Sequence, residues 1–119
     1  MRNHPDAVAL HPYFKCRPGQ IDAVKASLNA FVEAAAREPD CLFYGFTMRG
    51  DELFCQEAYT NAGGALAHID NIGPLLGELL KLADLVRLEI HGPADQLARL
   101  REPLASFNPA WFVYECGLD

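Results

Sequence analysis

At 119 residues, half of them hydrophobic, the chain is sized for one domain with a single core, and its composition excludes a disordered protein. A net charge of −6, with Lys and Arg scattered rather than clustered, argues against a nucleic-acid or anionic-membrane surface. No apolar run approaches a membrane span and Met1–Asp6 has no hydrophobic leader segment, so the expected compartment is the cytoplasm.

Residues 1–7 read as a tail. Val8–Cys16 is a first strand, with Leu10, Phe14 and Cys16 on one side and His11, Tyr13 and Lys15 on the other. Pro12 lacks a ladder donor, which places this strand at a sheet edge or beside a bulge. After the Pro18-Gly19 turn, Ile21, Val24, Leu28, Phe31, Val32 and Ala35 recur at three-four spacing, predicting a surface helix over Gln20–Arg37 that Pro39 stops.

Two apolar runs follow, Cys41–Met48 and Glu52–Tyr59, around the polar turn Arg49-Gly50-Asp51. They predict a β-hairpin at the centre of the sheet. Its register stays open at this level. A three-residue loop sets Phe43 beside Glu57, a two-residue loop sets Tyr44 there, and a one-residue slip exchanges the faces. Thr60 and Asn61 offer an N-cap to a helix whose apolar stripe is Ala65, Leu66 and Ile69. Gly73-Pro74 then breaks or kinks the chain, and Leu75, Leu76, Leu79, Leu80 and Ala83 form a second helical stripe. Leu85–His91 alternates strictly, Val86, Leu88 and Ile90 against Arg87, Glu89 and His91. A short helix at Ala94–Arg101 and an aromatic-rich strand at Trp111–Cys116 complete the chain.

The first six elements give the βαββαβ order of a ferredoxin-like α+β sandwich, with an extra helix and strand in a C-terminal extension over residues 92–119. Helices cover one sheet face in such a fold. The other would carry His11, Tyr13, Arg87 and Glu89 together with hairpin aromatics, too much apolar surface to leave open. A second copy packed sheet to sheet would cover it, so a homodimer is expected.

Cys16, Cys41, Cys55 and Cys116 stand far apart in or beside predicted strands and read as small buried hydrophobes. Neither Cys nor His shows zinc-site spacing, and Gly63-Gly64 lacks the lysine of a phosphate loop, so no resident metal, flavin or other cofactor is expected.

The chain resembles the antibiotic biosynthesis monooxygenase-like family of dimeric α/β barrel proteins. The resemblance runs roughly from Val8 to His91. It is carried by Pro18-Gly19 opening the first helix, Glu38-Pro39-Asp40-Cys41 entering the second strand, Glu57-Ala58-Tyr59 ending the third, and Ala65–His68 in the following helix. It implies a homodimer with a small cavity in each subunit. Some members oxidise aromatic polyketide-like substrates with oxygen and neither metal nor flavin, and others degrade haem. Tyr59 stands for the family's usual Trp, and His11 stands where haem-degrading relatives tend to carry Asn, which counts against haem degradation.

The site expected on these grounds has His68 and Glu57 as its catalytic pair and Tyr44, Tyr59, His11 and Arg87 as substrate-binding residues. An imidazole on a helix beside a sheet edge can move protons near neutral pH, and an adjacent carboxylate can orient it. His68 falls at the flank of its helix's apolar stripe, which predicts partial exposure. His68→Ala would then change stability by less than about 1 kcal/mol while weakening binding or turnover roughly ten-fold or more. The expected function is a cofactor-independent monooxygenase for a small aromatic or enolisable molecule. The alternative is a small-molecule-binding or structural dimer without turnover.

Overall fold

The computed structural model describes residues 1–118. Its strand β1 (Val8–Cys16) lies in the middle of a five-stranded sheet of order β2-β3-β1-β4-β5. Antiparallel partners β3 (Glu52–Tyr59) and β4 (Ala83–Gly92) flank it. The outer strands are β2 (Cys41–Arg49), antiparallel to β3, and β5 (Ala110–Val113), parallel to β4. Helices α1 (Ile21–Ala35), α2 (Ala62–Leu79) and α3 (Ala94–Leu100) complete an α+β, ferredoxin-like sandwich with an added helix and strand.

Pro12 is therefore not on an edge strand. The sheet accommodates it locally. Pairing with β3 runs through Leu10↔Glu57 and resumes at Tyr13↔Phe54, skipping His11 and Pro12 in unchanged register. On the other side a bulge lies between Tyr13 and Phe14. That bulge displaces Val86, which is 60% exposed, while Leu88 and Ile90 stay in the core. The strict alternation expected of β4 thus holds only beyond residue 86.

The hairpin turns on two residues. Gly50, at φ +60, supplies the positive angle that the first position of such a loop needs, and the resulting register sets Tyr44 opposite Glu57. At the start of α2, the Asn61 side chain accepts the Gly64 N–H at 2.9 Å. The Gln96 Oε1 accepts the Ala62 N–H at 2.8 Å, tying α3 to the same helix end.

Pro74 does not divide α2 into two helices. An interior proline costs about 3 kcal/mol through its lost hydrogen bond and ring clash. Ile72 and Leu79 are both nearly fully buried on either side of it, each contributing roughly 2 kcal/mol or more by burial. The stripe Ile69, Ile72, Leu76 and Leu79 continues without a phase break, and Pro74 itself is exposed. Packing outweighs the local penalty.

The core has two apolar clusters on the helix-covered face. One gathers Leu10, Tyr59, Ala65, Leu88, Ile90, Leu97 and Leu100, and the other Phe14, Val24, Phe31, Leu53, Ile72 and Leu79. The helix-free face carries a run of ring contacts. Tyr13 meets Phe54, Phe54 stacks on His11, His11 meets His91, and His91 stacks on Phe112. Cys116 lies beyond β5 and is exposed, unlike the buried residue expected there. Among the described residues no helix is long and apolar enough to cross a membrane.

Candidate functional site

Where the two core clusters meet, a cavity of about 60 Å³ lies between α1, α2 and the sheet. Most of its wall is apolar, from Leu10, Phe14, Phe31, Phe46, Ile72 and Leu88 among others. Its polar atoms come from one end, where Tyr44, Cys55, Glu57 and His68 face it.

His68 is the hub. Its ring is 2% exposed and lies beside both Tyr44 and Tyr59, with centroids 5.1 and 5.0 Å away. The Nδ1 atom is 2.9 Å from each carboxylate oxygen of Glu38, and Nε2 is 3.4 Å from Glu57 Oε1. An ionised carboxylate only accepts, so Nδ1 carries the proton and donates to Glu38. That leaves Nε2 of a neutral ring with its lone pair toward Glu57 and the cavity. Sequence position placed His68 at the edge of its stripe; the loop before β2 and the β3 strand then bury it by closing over both ring nitrogens.

Each carboxylate is held by its own partners. Glu38 follows the end of α1, where Pro39 ends the helical run. The Asn71 Nδ2 donates both to Glu38 Oε2, at 2.8 Å, and to the Ala34 carbonyl, at 3.1 Å. Glu57 points inward from β3 because it shares the face of Leu53, Cys55 and Tyr59. The Tyr59 hydroxyl donates to Glu57 Oε1 at 2.8 Å. Burial pushes the Glu57 carboxyl above its ordinary value, opposed by His68 whenever its ring is protonated and by hydrogen bonds from Cys55 and Tyr59. Burial likewise raises Tyr44, Cys55 and Tyr59, with the Glu57 charge adding to each. These three groups stay protonated: Cys55 and Tyr59 donate to the Glu57 carboxyl, and Tyr44 donates to the Cys55 sulfur. Cys41, beside Glu38 and Glu57, is pushed up to about 11, again chiefly by burial.

The structure brings together His68, Glu57 and Tyr44 at the cavity. Tyr59 is fully buried and does not line the cavity; it touches two residues that do, Glu57 and His68. His11 and Arg87 are not at this site. Both lie on the helix-free face, His11 stacked on Phe54 and Arg87 donating to Glu89 Oε2 at 2.7 Å. Strand alternation separates them from the cavity: Leu10 and Leu88 point in, so their neighbours His11 and Arg87 point out. Sequence reasoning missed Glu38 as a partner of His68, along with Asn71 and Cys55. Glu38 stood among the residues carrying the family resemblance, but nothing local marks a contact across thirty positions. Among the described residues no group of three or more His, Cys, Asp or Glu is arranged to hold a metal ion.

This is a ferredoxin-like sandwich with a buried carboxylate–imidazole–carboxylate cluster at one end of an apolar cavity. Over 96% of its length the chain superposes on 94% of MupZ from Pseudomonas fluorescens, with a TM-score of 0.92 and 38% identity. The chain belongs to the same family as MupZ, and its fold is that of the antibiotic biosynthesis monooxygenase-like proteins. More distant likenesses are of fold alone. Rv0793 from Mycobacterium tuberculosis matches at 24% identity and TM-score 0.66, with 76% of this chain and 97% of that one covered. The "putative Antibiotic biosynthesis monooxygenase from Chloroflexus aurantiacus J-10-fl" matches at 22% identity and TM-score 0.62, with 75% and 94% covered. No family model matches the sequence, and no curated protein does.

Proposed function

We propose that this chain is an acid–base enzyme that moves protons on a small, largely apolar molecule held between the helices and the sheet. One observation carries the reading: His68 is buried at the cavity wall with Glu38 on Nδ1 and Glu57 beside Nε2. Nε2 accepts a proton from the substrate, and the Glu38 carboxylate stabilises the imidazolium that forms. Glu57, favoured in its neutral form by burial, supplies a proton or hydrogen bond where negative charge develops, with Tyr59 holding its Oε1.

The family points this chemistry toward cofactor-independent monooxygenation. Removing a proton from a phenolic or enolisable CH₂ compound leaves an electron-rich anion that reduces oxygen directly. The CH₂ becomes C=O, one oxygen atom enters the product and the other leaves as water, all electrons coming from the substrate. A second reading is favoured by the acid and base sharing one pocket. A proton taken at one substrate atom and returned at another gives a redox-neutral isomerisation or addition, without oxygen.

The test is a panel of hydroxylated naphthoquinones, anthrones and simpler enolisable ketones, followed by oxygen electrode and by product analysis with and without air. His68→Gln should lower turnover of any active compound by roughly a hundred-fold or more, within the range of general acid–base contributions. Equal turnover without air selects the redox-neutral reading. Unchanged turnover in His68→Gln refutes the acid–base assignment, and binding without turnover across the panel restores the non-catalytic dimer.

A further inference from the structure

The protonation state of a buried acid–base pair must be set by bulk water, and here the cavity wall offers that exchange few polar atoms. Of the three side chains in the cluster Glu38 is the most exposed, at 10% against 2% for His68 and 5% for Glu57. Glu38 also borders a separate groove on the outer surface, together with Val32, Ala36 and Cys41. Glu57 does not reach that groove. Its remaining neighbours are Tyr59, which is fully buried, and Cys55, which is 1% exposed and leads on to Tyr44.

We propose that Glu38 is the proton port of the site, through which Glu57 and His68 exchange protons with solvent at the surface groove. The proposal rests on the acid–base reading and deepens it by adding a residue that never meets the substrate. In the outward step the Glu57 O–H gives its proton to Nε2, Nδ1–H passes to the Glu38 carboxylate, and Glu38 releases it to water. His68 is left protonated on Nε2. The inward step runs the same bonds in reverse and restores the Nδ1–H tautomer, so one proton out and one in returns every group to its starting form. No oxidant or further reactant is involved. Asn71 belongs to the device as a positioning residue, because its two hydrogen bonds hold Glu38 against the ring from the α1 end.

A competing route exists in the same structure. Tyr44 borders both the inner cavity and the outer groove, and Cys55 links it to Glu57. The two routes are separable by substitution. Water entering at the polar end of the cavity is a third route, and it would leave the rate unchanged in every variant.

The experiment needs no substrate. The carboxylic C=O stretch of Glu57, assigned by its disappearance in Glu57→Gln, is followed by infrared spectroscopy after a rapid jump from mildly acidic to alkaline pH, so that its decay reports the outward step. Glu38→Gln should slow this decay by roughly ten-fold or more, Glu38→Asp should recover most of the rate, and Tyr44→Phe should match the unsubstituted protein. Ala36→Phe, at an exposed position that borders the groove without touching the cluster, should slow it too and decides the matter if Glu38→Gln does not fold. An unchanged decay in both Glu38→Gln and Ala36→Phe overturns the port, as does slowing confined to Tyr44→Phe. Failure of the port leaves the turnover test of His68→Gln untouched. Conversely, loss of the acid–base reading leaves the decay rates as measured.

Discussion

Replacing His68 by Ala is the most informative perturbation of stability. The side chain is 2% exposed, its Nδ1 meets both Glu38 oxygens at 2.9 Å, and Nε2 is 3.4 Å from Glu57. Its removal leaves two carboxylates facing each other across a void. Deleting the donor of a hydrogen bond to a buried carboxylate costs about 1.5–3 kcal/mol, and the void left behind adds about 1–2 kcal/mol. The lower end applies here, because Glu57 already favours its neutral form and Glu38 keeps its bond to Asn71. A loss of about 3 kcal/mol at neutral pH is therefore expected, a large share of the ordinary stability of a domain. This replaces the near-neutral effect expected of a partly exposed helix position. The loss should shrink to about 1–2 kcal/mol in acid, where the carboxylates are protonated and only the void remains. Urea titration at both pH values, with the m-value checked for constancy, measures it. A loss below about 1 kcal/mol at neutral pH, or one that does not change with pH, refutes the charge-cluster account.

Other outcomes follow from neighbouring residues. The folded-state value of Glu57 is raised above its ordinary 4.5, so the native chain holds an extra proton just above that pH and its stability falls as pH rises through the window. Glu57→Gln removes this slope, and parallel stability–pH curves for the two proteins would contradict the raised value. A Cβ at Gly64 would lie 2.7 Å from the Asp40 Cβ and 3.3 Å from the Tyr59 Cβ, so Gly64→Ala should cost about 2 kcal/mol. Gly63→Ala, whose nearest new contact is the Asn61 Oδ1 at 3.2 Å, should cost distinctly less in the same thermal-melt comparison. The ring run on the helix-free face, with Phe43 and Phe112 exposed at its margins, is proposed to pack on a second copy of the chain. Light scattering at micromolar concentration should give twice the chain mass, and Phe54→Glu should shift it to monomer; a monomer before substitution rules the pairing out.

Local patterns alone determined the order and type of the elements. The three-four spacing from Ile21 to Ala35 specified α1 because a helix must turn one stripe inward, and Val24 and Phe31 are indeed buried. Period-two alternation specified β1 to its observed ends, and Asn61 marked the start of α2 by the cap it supplies. The family resemblance joined Glu57 to His68 through the order of residues along the chain. What remained was decided by partners distant in sequence. The two-residue loop at Gly50-Asp51 chose Tyr44 over Phe43 as the neighbour of Glu57, a choice the strand sequences themselves leave balanced. Pro12 entered the centre of the sheet because the pairs around it hold their register while two residues go unpaired on the β3 side and stay paired with β4. Pro74 stayed inside one helix because Ile72 and Leu79 are packed from outside that helix. His11 and Arg87 were separated from the cavity once the inward face of each strand was set by the helices covering it. Glu38 met His68 only when the end of α1 was brought against α2, and no local rule encodes a hydrogen bond between residues thirty positions apart.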